Sequence, residues 1–466
     1  MQESADRLVI WQQNVNRSPT CQHTLLSNRI LVKHEIGIVA LQEPVINPFN
    51  NSIASKDWIT VYPSQHCSRP DKTRALTLIR STFSTDTWEQ IDFPSGDVVV
   101  ICLKGVWGKL IIFNIYNDGK HNNTIEQLKN FYNTRPDVLA NPEVGETHTL
   151  WLGDFNRHHP HWDDPNDARL FTAEALKAAV VLIEALASLG LELALPGEIP
   201  THCHNVTKKW SRLDQVFISD HSTDLLISCD TETRFRSIKT DHLPVVTKLS
   251  LSISSTEPSA YRNFRDVDWT DFRDNLTKRL LSLDPPKRIK DQEHLNVSCD
   301  TLTKALQATI EDCVPTTTIC ALSKCWWTKE LTQMRRNMNK LGRVSYKRKD
   351  DLAHPVHAEH KEAERLYDRT LERTKKQHWR DWLERAEDPD FWTVHKYTSQ
   401  PSTDGAKARI PALKYRRNGE EATASTNHEK SQALAHSFFP VRPAASAKRQ
   451  MALFPLISLI QGFQVI

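Results

Sequence analysis

Apolar and polar positions alternate in short runs over the first 250 residues and in long helical waves after them. Leu8–Val15, Ile36–Gln42, Ile59–Tyr62, Ala75–Arg80, Asp97–Leu103 and Lys109–Tyr116 are apolar, β-branched runs of strand length. His148–Leu152, Arg212–Ser219, Leu225–Cys229 and Leu243–Ser250 repeat the pattern. Helical spacing occupies Thr20–Glu35, Asn122–Tyr132 and the Ala/Leu-rich stretch Thr172–Leu189. Many strands, several in hairpin order, with a few helices between them predict an α/β sandwich of two sheets covered by helices. Ser250–Ser259 is Ser-rich and reads as the exit from this domain. Beyond it the pattern turns helical: Trp269 with Phe272, a helix near His294–Val314, a basic helix opened by Cys325-Trp326-Trp327 and running through Arg348, and another over Pro355–Ala386.

The strand ends carry the chemistry. Apolar residues run into Gly153-Asp154, and Asn156 follows two positions later, so a carboxylate and a carboxamide leave the same side of an extended segment. Such a carboxylate can take a proton from water, while the carboxamide holds that water or steadies developing charge. An Asx-rich turn capping a strand explains the same tetrapeptide equally well. Elsewhere Asn14 ends a core strand, Glu43 follows Ile38-Val39-Ala40-Leu41, and Tyr116 follows an apolar run from Leu110. Asp214 sits in Ser211-Arg212-Leu213-Asp214, and Thr240-Asp241-His242 opens the last strand. Each alone reads as a solvated strand end or a turn. Their recurrence in one strand-rich domain points to a shared site.

Charge sharpens the division of the chain. The first 250 residues carry a net charge of −5 and the remainder +8, which suits a carboxylate-lined metal site followed by a basic segment able to lie against nucleic acid; a solvated helical surface gives the same balance. The nine cysteines are scattered and form no C-x-x-C, so a disulfide framework is not expected and reduced thiols in the cytosol or nucleus are. His202-Cys203-His204 lacks a second ligand pair at finger-like spacing, which argues against zinc. No signal peptide opens the chain and no run approaches a membrane span, so a secreted or membrane-anchored protein is not expected.

The set Gln13-Asn14-Val15-Asn16, Leu41-Gln42-Glu43-Pro44, Asn114-Ile115-Tyr116-Asn117, Gly153-Asp154-Phe155-Asn156, Ser211-Arg212-Leu213-Asp214 and Thr240-Asp241-His242 resembles the exonuclease–endonuclease–phosphatase superfamily. More narrowly it resembles the endonuclease domain of non-LTR (LINE-type) retrotransposons, and the extension Arg157-His158-His159-Pro160-His161-Trp162 points to elements of fungal type. The resemblance covers residues 5–252. It implies a four-layer α/β sandwich with the site at one edge of the paired sheets, and cleavage of a DNA phosphodiester with Mg2+, or Mn2+ in its place. By position it implies Glu43 as principal metal ligand, with Asn14 and Asp241 near the metal. Asp154 would orient or deprotonate the attacking water, and Asn156 would hold the phosphate or the water. His242, polarised by Asp214, would contact the scissile phosphate, and Tyr116 would hydrogen-bond a phosphate oxygen. Thr201 falls where relatives place a DNA-contacting threonine, and Arg157, Arg212 and Asn16 are assigned as further DNA contacts. Arg157, Thr240 and the acidic turn Asn117-Asp118-Gly119 depart from the commoner family residues, which bears on target preference.

Residues 253–440 resemble the helical connector that LINE-type polyproteins carry between endonuclease and reverse transcriptase. Its basic helices with Trp anchors would bind target DNA or template RNA. No Asp-Asp pair of a polymerase follows, so no reverse transcriptase activity is expected, and 441–466 read as an unrelated or disordered tail of a truncated element. The implied activity is nicking of double-stranded DNA in the nucleus, leaving a 3′-hydroxyl that a full-length element would use for target-primed reverse transcription. An abasic-site repair nuclease and an inactive relic that only binds nucleic acid are the alternatives.

Overall fold

The computed structural model describes residues 7–386 apart from 27–30, 32–33, 54, 56, 85, 136–145, 236, 256–260, 263, 265–266, 284–288 and 318–325, together with 413–417, 420–424 and 427–438. The chain divides into two compact units, residues 1–408 and 409–466. The segments 391–396 and 441–466, assigned above to the connector and the tail, lie outside the described residues.

The first unit is built on two six-stranded sheets. One contains β1 (Leu8–Asn14), β2 (Ile38–Gln42), β3 (Trp58–Val61), β4 (Ala75–Arg80), β13 (Leu226–Thr231) and β14 (Val245–Leu249), in the order β13-β14-β1-β2-β4-β3. The other contains β5 (Trp88–Ile91), β6 (Val98–Gly105), β7 (Gly108–Tyr116), β8 (Thr147–Asp154), β9 (Leu191–Leu193) and β12 (Asp214–Ser219), in the order β5-β6-β7-β8-β12-β9. Both are mixed: β1 with β2 and β7 with β8 run parallel, and the remaining pairs are antiparallel.

The strands read as near-continuous apolar runs because both faces of each sheet are covered. Leu8, Ile10, Ile38, Ala40 and Ile79 of the first sheet meet Ile101, Ile112, Leu150, Leu152 and Val216 of the second in one core between the sheets. The alternate residues Val9, Trp11, Val39, Leu41 and Leu78 pack outward on Cys21, Leu25 and Leu26 of α1 (Pro19–Leu26). On the far side Phe113, Ile115 and Trp151 pack on Ile125, Leu128 and Phe131 of α2 (Asn123–Thr134) and on Ala179, Leu182 and Ala185 of α3 (Ala173–Leu189). The layers are helix, sheet, sheet, helices: the expected four-layer sandwich. Thr172 accepts the Ala175 N–H at the start of α3, and Gly190 closes it in the left-handed region at φ 59°.

Within the sandwich the pattern does not mark four short strands: β5, β9 and the two-residue hairpin β10 (His202–Cys203) and β11 (Trp210–Ser211). Of the helix expected over Thr20–Glu35, the described residues show α1 over Pro19–Leu26 and a helical Leu31, with His34 and Glu35 in a turn.

After the sandwich come α4 (Trp269–Leu281), α5 (Gln292–Cys313), α6 (Lys329–Lys347) and α7 (Val356–Arg385). Helices α6 and α7 form a hairpin whose Leu331, Met338, Tyr367 and Leu371 bury Ile238 of the sandwich. In the second unit a β-hairpin, Leu413–Arg417 with Glu420–Ala424, precedes the helix Asn427–Phe438. Among the described residues every cysteine is a free thiol, and no helix is long and apolar enough to cross a membrane.

Candidate active site

Sheet register gathers the polar strand ends. In the parallel β7–β8 pair Tyr116 lies opposite Asp154, and in the antiparallel β8–β12 pair Asp214 lies opposite Asp154. Asn14 ends β1 opposite Gln42, with Glu43 one residue further on. The two sheets face each other, so these ends meet at one edge.

There the side chains form a connected set. Asn14 Nδ2 donates to Asp154 Oδ2 at 2.9 Å and to Glu43 Oε2 at 3.3 Å, bridging the two carboxylates. His242 Nδ1 donates to Asp214 Oδ2 at 2.8 Å. Its Nε2 lies 4.0 Å from Asp154 Oδ2 and 3.9 Å from Asp241 Oδ1. Thr240 Oγ1 donates to the Asn14 carbonyl at 2.8 Å, and Gln13 Nε2 donates to the His242 carbonyl at 3.3 Å, which ties the Thr240-Asp241-His242 turn to the end of β1. Asn156 N–H donates to Asp154 Oδ1 at 3.1 Å, while its own Nδ2 donates to the Asn117 carbonyl at 2.9 Å. Glu43 and Asn156 adopt φ of 47° and 49°, a region that side-chain-bearing residues enter at a cost of about 1–2 kcal/mol.

Burial and neighbours shift the titrations. Burial raises the Asp154 carboxyl to about 7; Asp214 adds to the shift, and His242, Asn14 and the Asn156 N–H oppose it. Burial alone would lower the His242 imidazole, but Asp214, through charge and hydrogen bond, and then Asp154 and Asp241 raise it to about 10. Asp241 is lowered: burial opposes ionisation, and the hydrogen bond from His202 and the charges of His242 and His202 outweigh it. The Tyr116 phenol is raised, first by burial and then by Glu43 and Asp154, while the Arg74 guanidinium lies 4.8 Å over its ring. Arg74 is itself fixed by Asp97 and Asp118.

Glu43 and Asp241 keep partly open carboxylates, 22% and 16% exposed. A hard divalent cation takes oxygen ligands and retains waters, which suits the chemistry of either carboxylate; among the described residues of the site, ligand atoms close enough to share an ion are those of His202, Asp241 and His242, and those of Asp154, Asp214 and His242. His242 Nδ1 is taken by Asp214, and the surrounding carboxylates favour its protonated, non-ligating form. Asn14 turns its amide nitrogen toward the carboxylates, and its oxygen accepts the Asn16 N–H at 2.8 Å. It therefore acts here as a bridge between Glu43 and Asp154.

Three residues expected on the DNA face are inside the protein. Arg157 is 3% exposed and donates to Asn122 Oδ1 and to the carbonyls of Asp118, His121 and Asn156. Arg212 is 1% exposed and donates to Gln215 and to the carbonyls of Leu195 and Pro196. With their donors used internally, both guanidinium groups brace loops and have no surface to offer a phosphate. Thr201 is fully buried, and its Oγ1 accepts the Leu213 and Asp214 N–H groups, so it positions Asp214. Asn16 is exposed at the rim.

The sequence context of His202 suggests only a failed zinc motif, and the structure brings the residue to the site. The β10–β11 hairpin brings it beside Asp241, with Nε2 3.5 Å from Oδ2 and the ring centroid 4.8 Å from that of His242. Asn205 Nδ2 donates to the same Asp241 oxygen at 2.8 Å. A long-range backbone bridge between His202 and His242 fixes this hairpin against the catalytic turn.

Residues 110–246 match the family model described as endonuclease–reverse transcriptase. No curated protein sequence matches the chain. Among solved structures, the endonuclease domain of TRAS1, a telomere-specific non-LTR retrotransposon, is similar at 17% identity and a TM-score of 0.40, covering 52% of this chain and 98% of that one. The Xenopus laevis APE2 catalytic domain is similar at 14% identity and a TM-score of 0.40, covering 54% and 94%. The Neisseria 3′ phosphatase NExo bound to a product DNA hairpin is similar at 18% identity and a TM-score of 0.38, covering 52% and 99%.

Proposed function

We propose that the protein is a divalent-metal-dependent DNA endonuclease of the exonuclease–endonuclease–phosphatase superfamily, a reading supported by the match of residues 110–246 to the endonuclease–reverse transcriptase family model. It nicks one phosphodiester by attack of an activated water and leaves a 3′-hydroxyl. The observation that carries this reading is the convergence of Glu43, Asn14 and Asp154 on one hydrogen-bonded line facing the Asp214–His242 pair.

Asp154 takes the proton of the attacking water; a carboxyl raised by burial is a stronger base than an ordinary one and is suited to neutral pH. The imidazolium of His242, its Nδ1 proton held by Asp214, presents Nε2–H to a phosphate oxygen and stabilises the charge that grows there. Asn156, fixed by Asn117 and by the Asp154 carboxylate, and Tyr116, held under Arg74, orient the phosphate. The water oxygen bonds to phosphorus, the bond between phosphorus and the 3′ oxygen breaks, and the departing 3′ oxygen takes a proton from solvent, leaving a 3′-hydroxyl and a 5′-phosphate. A Mg2+ or Mn2+ ion held by Glu43 and Asp241 would supply charge neutralisation at the phosphate and at the leaving oxygen. In a longer element the freed 3′-hydroxyl would prime reverse transcription.

The test is relaxation of supercoiled plasmid by the full chain, with Mg2+ and with chelator. Nicked circles are expected only with metal, and Asp154→Ala and His242→Ala should each lose about 10²–10⁴ in rate. Nicking at the unmodified rate by both variants would remove this site from consideration.

A further inference from the structure

Helix α7 carries cations that the catalytic machinery does not use. Lys361, Arg365, Arg369, Arg373, Lys376 and Arg380 are all exposed, and at helical periodicity they fall within an arc of about 120°. Val356, His360, Tyr367, Thr370 and Leu371 are buried, so the basic arc is turned away from the packed side of the helix. Two acids share the arc. Glu362 contacts Arg369 at 3.2 Å and Arg365 at 3.7 Å, and Glu372 lies between the rows. Exposed pairs of this kind are weak and exchange readily for a stronger anion.

The position of the arc gives it a meaning. Its first two cations, Lys361 and Arg365, line a cavity of about 670 Å3 together with Asn16, Asn205 and Asp241 of the catalytic rim. From there the row runs to Arg380, a length of about 28 Å at 1.5 Å per residue. That matches about eight base pairs of duplex at 3.4 Å per step.

We propose that α7 is a second wall of the substrate groove, on which the phosphates of duplex DNA flanking the nick are seated by Lys361, Arg365, Arg369, Arg373, Lys376 and Arg380. The proposal rests on the endonuclease reading above and extends it from the scissile phosphate to a footprint of about three-quarters of a helical turn. It makes the helical segment part of the nuclease's own substrate site.

Binding is read in chelator, by fluorescence anisotropy of the full chain with a duplex of about 20 base pairs, between about 50 and 200 mM salt. A combined Arg369→Gln, Arg373→Gln, Arg380→Gln variant is expected to lower the slope of log K against log salt by about 2.7, or roughly 0.9 per phosphate contact, and to weaken binding at least tenfold at the higher salt. The charge-conserving Arg→Lys variant at the same positions should retain the slope, which separates charge from folding damage. A duplex trimmed on the flank to end at the catalytic rim should bind both proteins equally. Equal slopes for the unmodified and Gln-substituted proteins would overturn the proposal, as would equal losses on trimmed and extended duplexes. So would tighter binding of single-stranded RNA than of duplex DNA of the same length. Cleavage plays no part in this measurement, so a protein that fails to nick plasmid sinks the endonuclease reading and leaves the groove result standing.

Discussion

His242 faces three carboxylates, and its proton is the property of that group rather than of the ring alone. The sign of its pH dependence follows from the raised value. Asp154 must be ionised to act as base, so the rate rises with pH through about 7, or lower when a bound cation adds positive charge beside it. His242 must be protonated, so the rate falls only as pH passes about 10. Asp214→Asn removes the largest influence that raises His242, and its alkaline limb should move down toward the ordinary value of 6.5. Nicking rates measured from pH 5 to 10 check this; an alkaline limb unmoved by the substitution would separate His242 from Asp214 in function. The same scale shows where residue type misleads. Arg157 and Arg212 have the charge of DNA contacts, and only their burial reveals them as braces. Thr201 has the right neighbours for a substrate contact, yet its hydroxyl is used by the Leu213 and Asp214 N–H groups.

Elements set the spacing that residues exploit. The apolar runs marked β1, β2, β4, β6, β7, β8 and β12 to within a few residues because both faces of each are largely buried, which leaves a near-continuous signal, and β14 is marked by its alternation of buried and half-buried residues. β5 lacked that signal because its central Glu89 and Gln90 are exposed. The β10–β11 hairpin is two residues long on each side, too short for any periodicity, and His202 and Asn205 were lost with it. Gly153 tests how closely register and site are linked. Its φ is 149°, and a Cβ placed there would lie 1.8 Å from the Ile115 carbonyl oxygen across the β7–β8 pair. Gly153→Ala is therefore expected to destabilise the fold by about 2–5 kcal/mol, from overpacking combined with backbone strain. It should also depress nicking, because the same pair sets Tyr116 opposite Asp154. Thermal melting and plasmid relaxation measure the two effects; an unchanged melt with full activity would mean that the strands adjust without moving the site.

At the scale of the whole first unit, the α6–α7 hairpin grips the two segments that complete the site. Ile238, three residues before Asp241, is buried among Leu331, Met338, Tyr367 and Leu371. Lys239 pairs with Asp368 at 2.9 Å, and Trp210 at the foot of the His202 hairpin stands edge-on to Tyr346, with ring centroids 5.2 Å apart. The helices thus hold the Thr240-Asp241-His242 turn from one side, while Gln13 and Asn14 hold it from the other. Leu371→Ala removes no catalytic group but opens a cavity in that contact, at a cost of about 2–5 kcal/mol. Loosening the hairpin should expose the loop between α6 and α7 to limited proteolysis and lower the nicking rate, with the loss appearing in kcat because Asp241 and His242 are less well held. Asp368→Asn removes only a partly exposed ion pair, worth about 0–1 kcal/mol, and should change neither readout by much. If Leu371→Ala becomes protease-sensitive and still nicks at the unmodified rate, the sandwich positions its catalytic turn unaided, and the helices serve the substrate rather than the site.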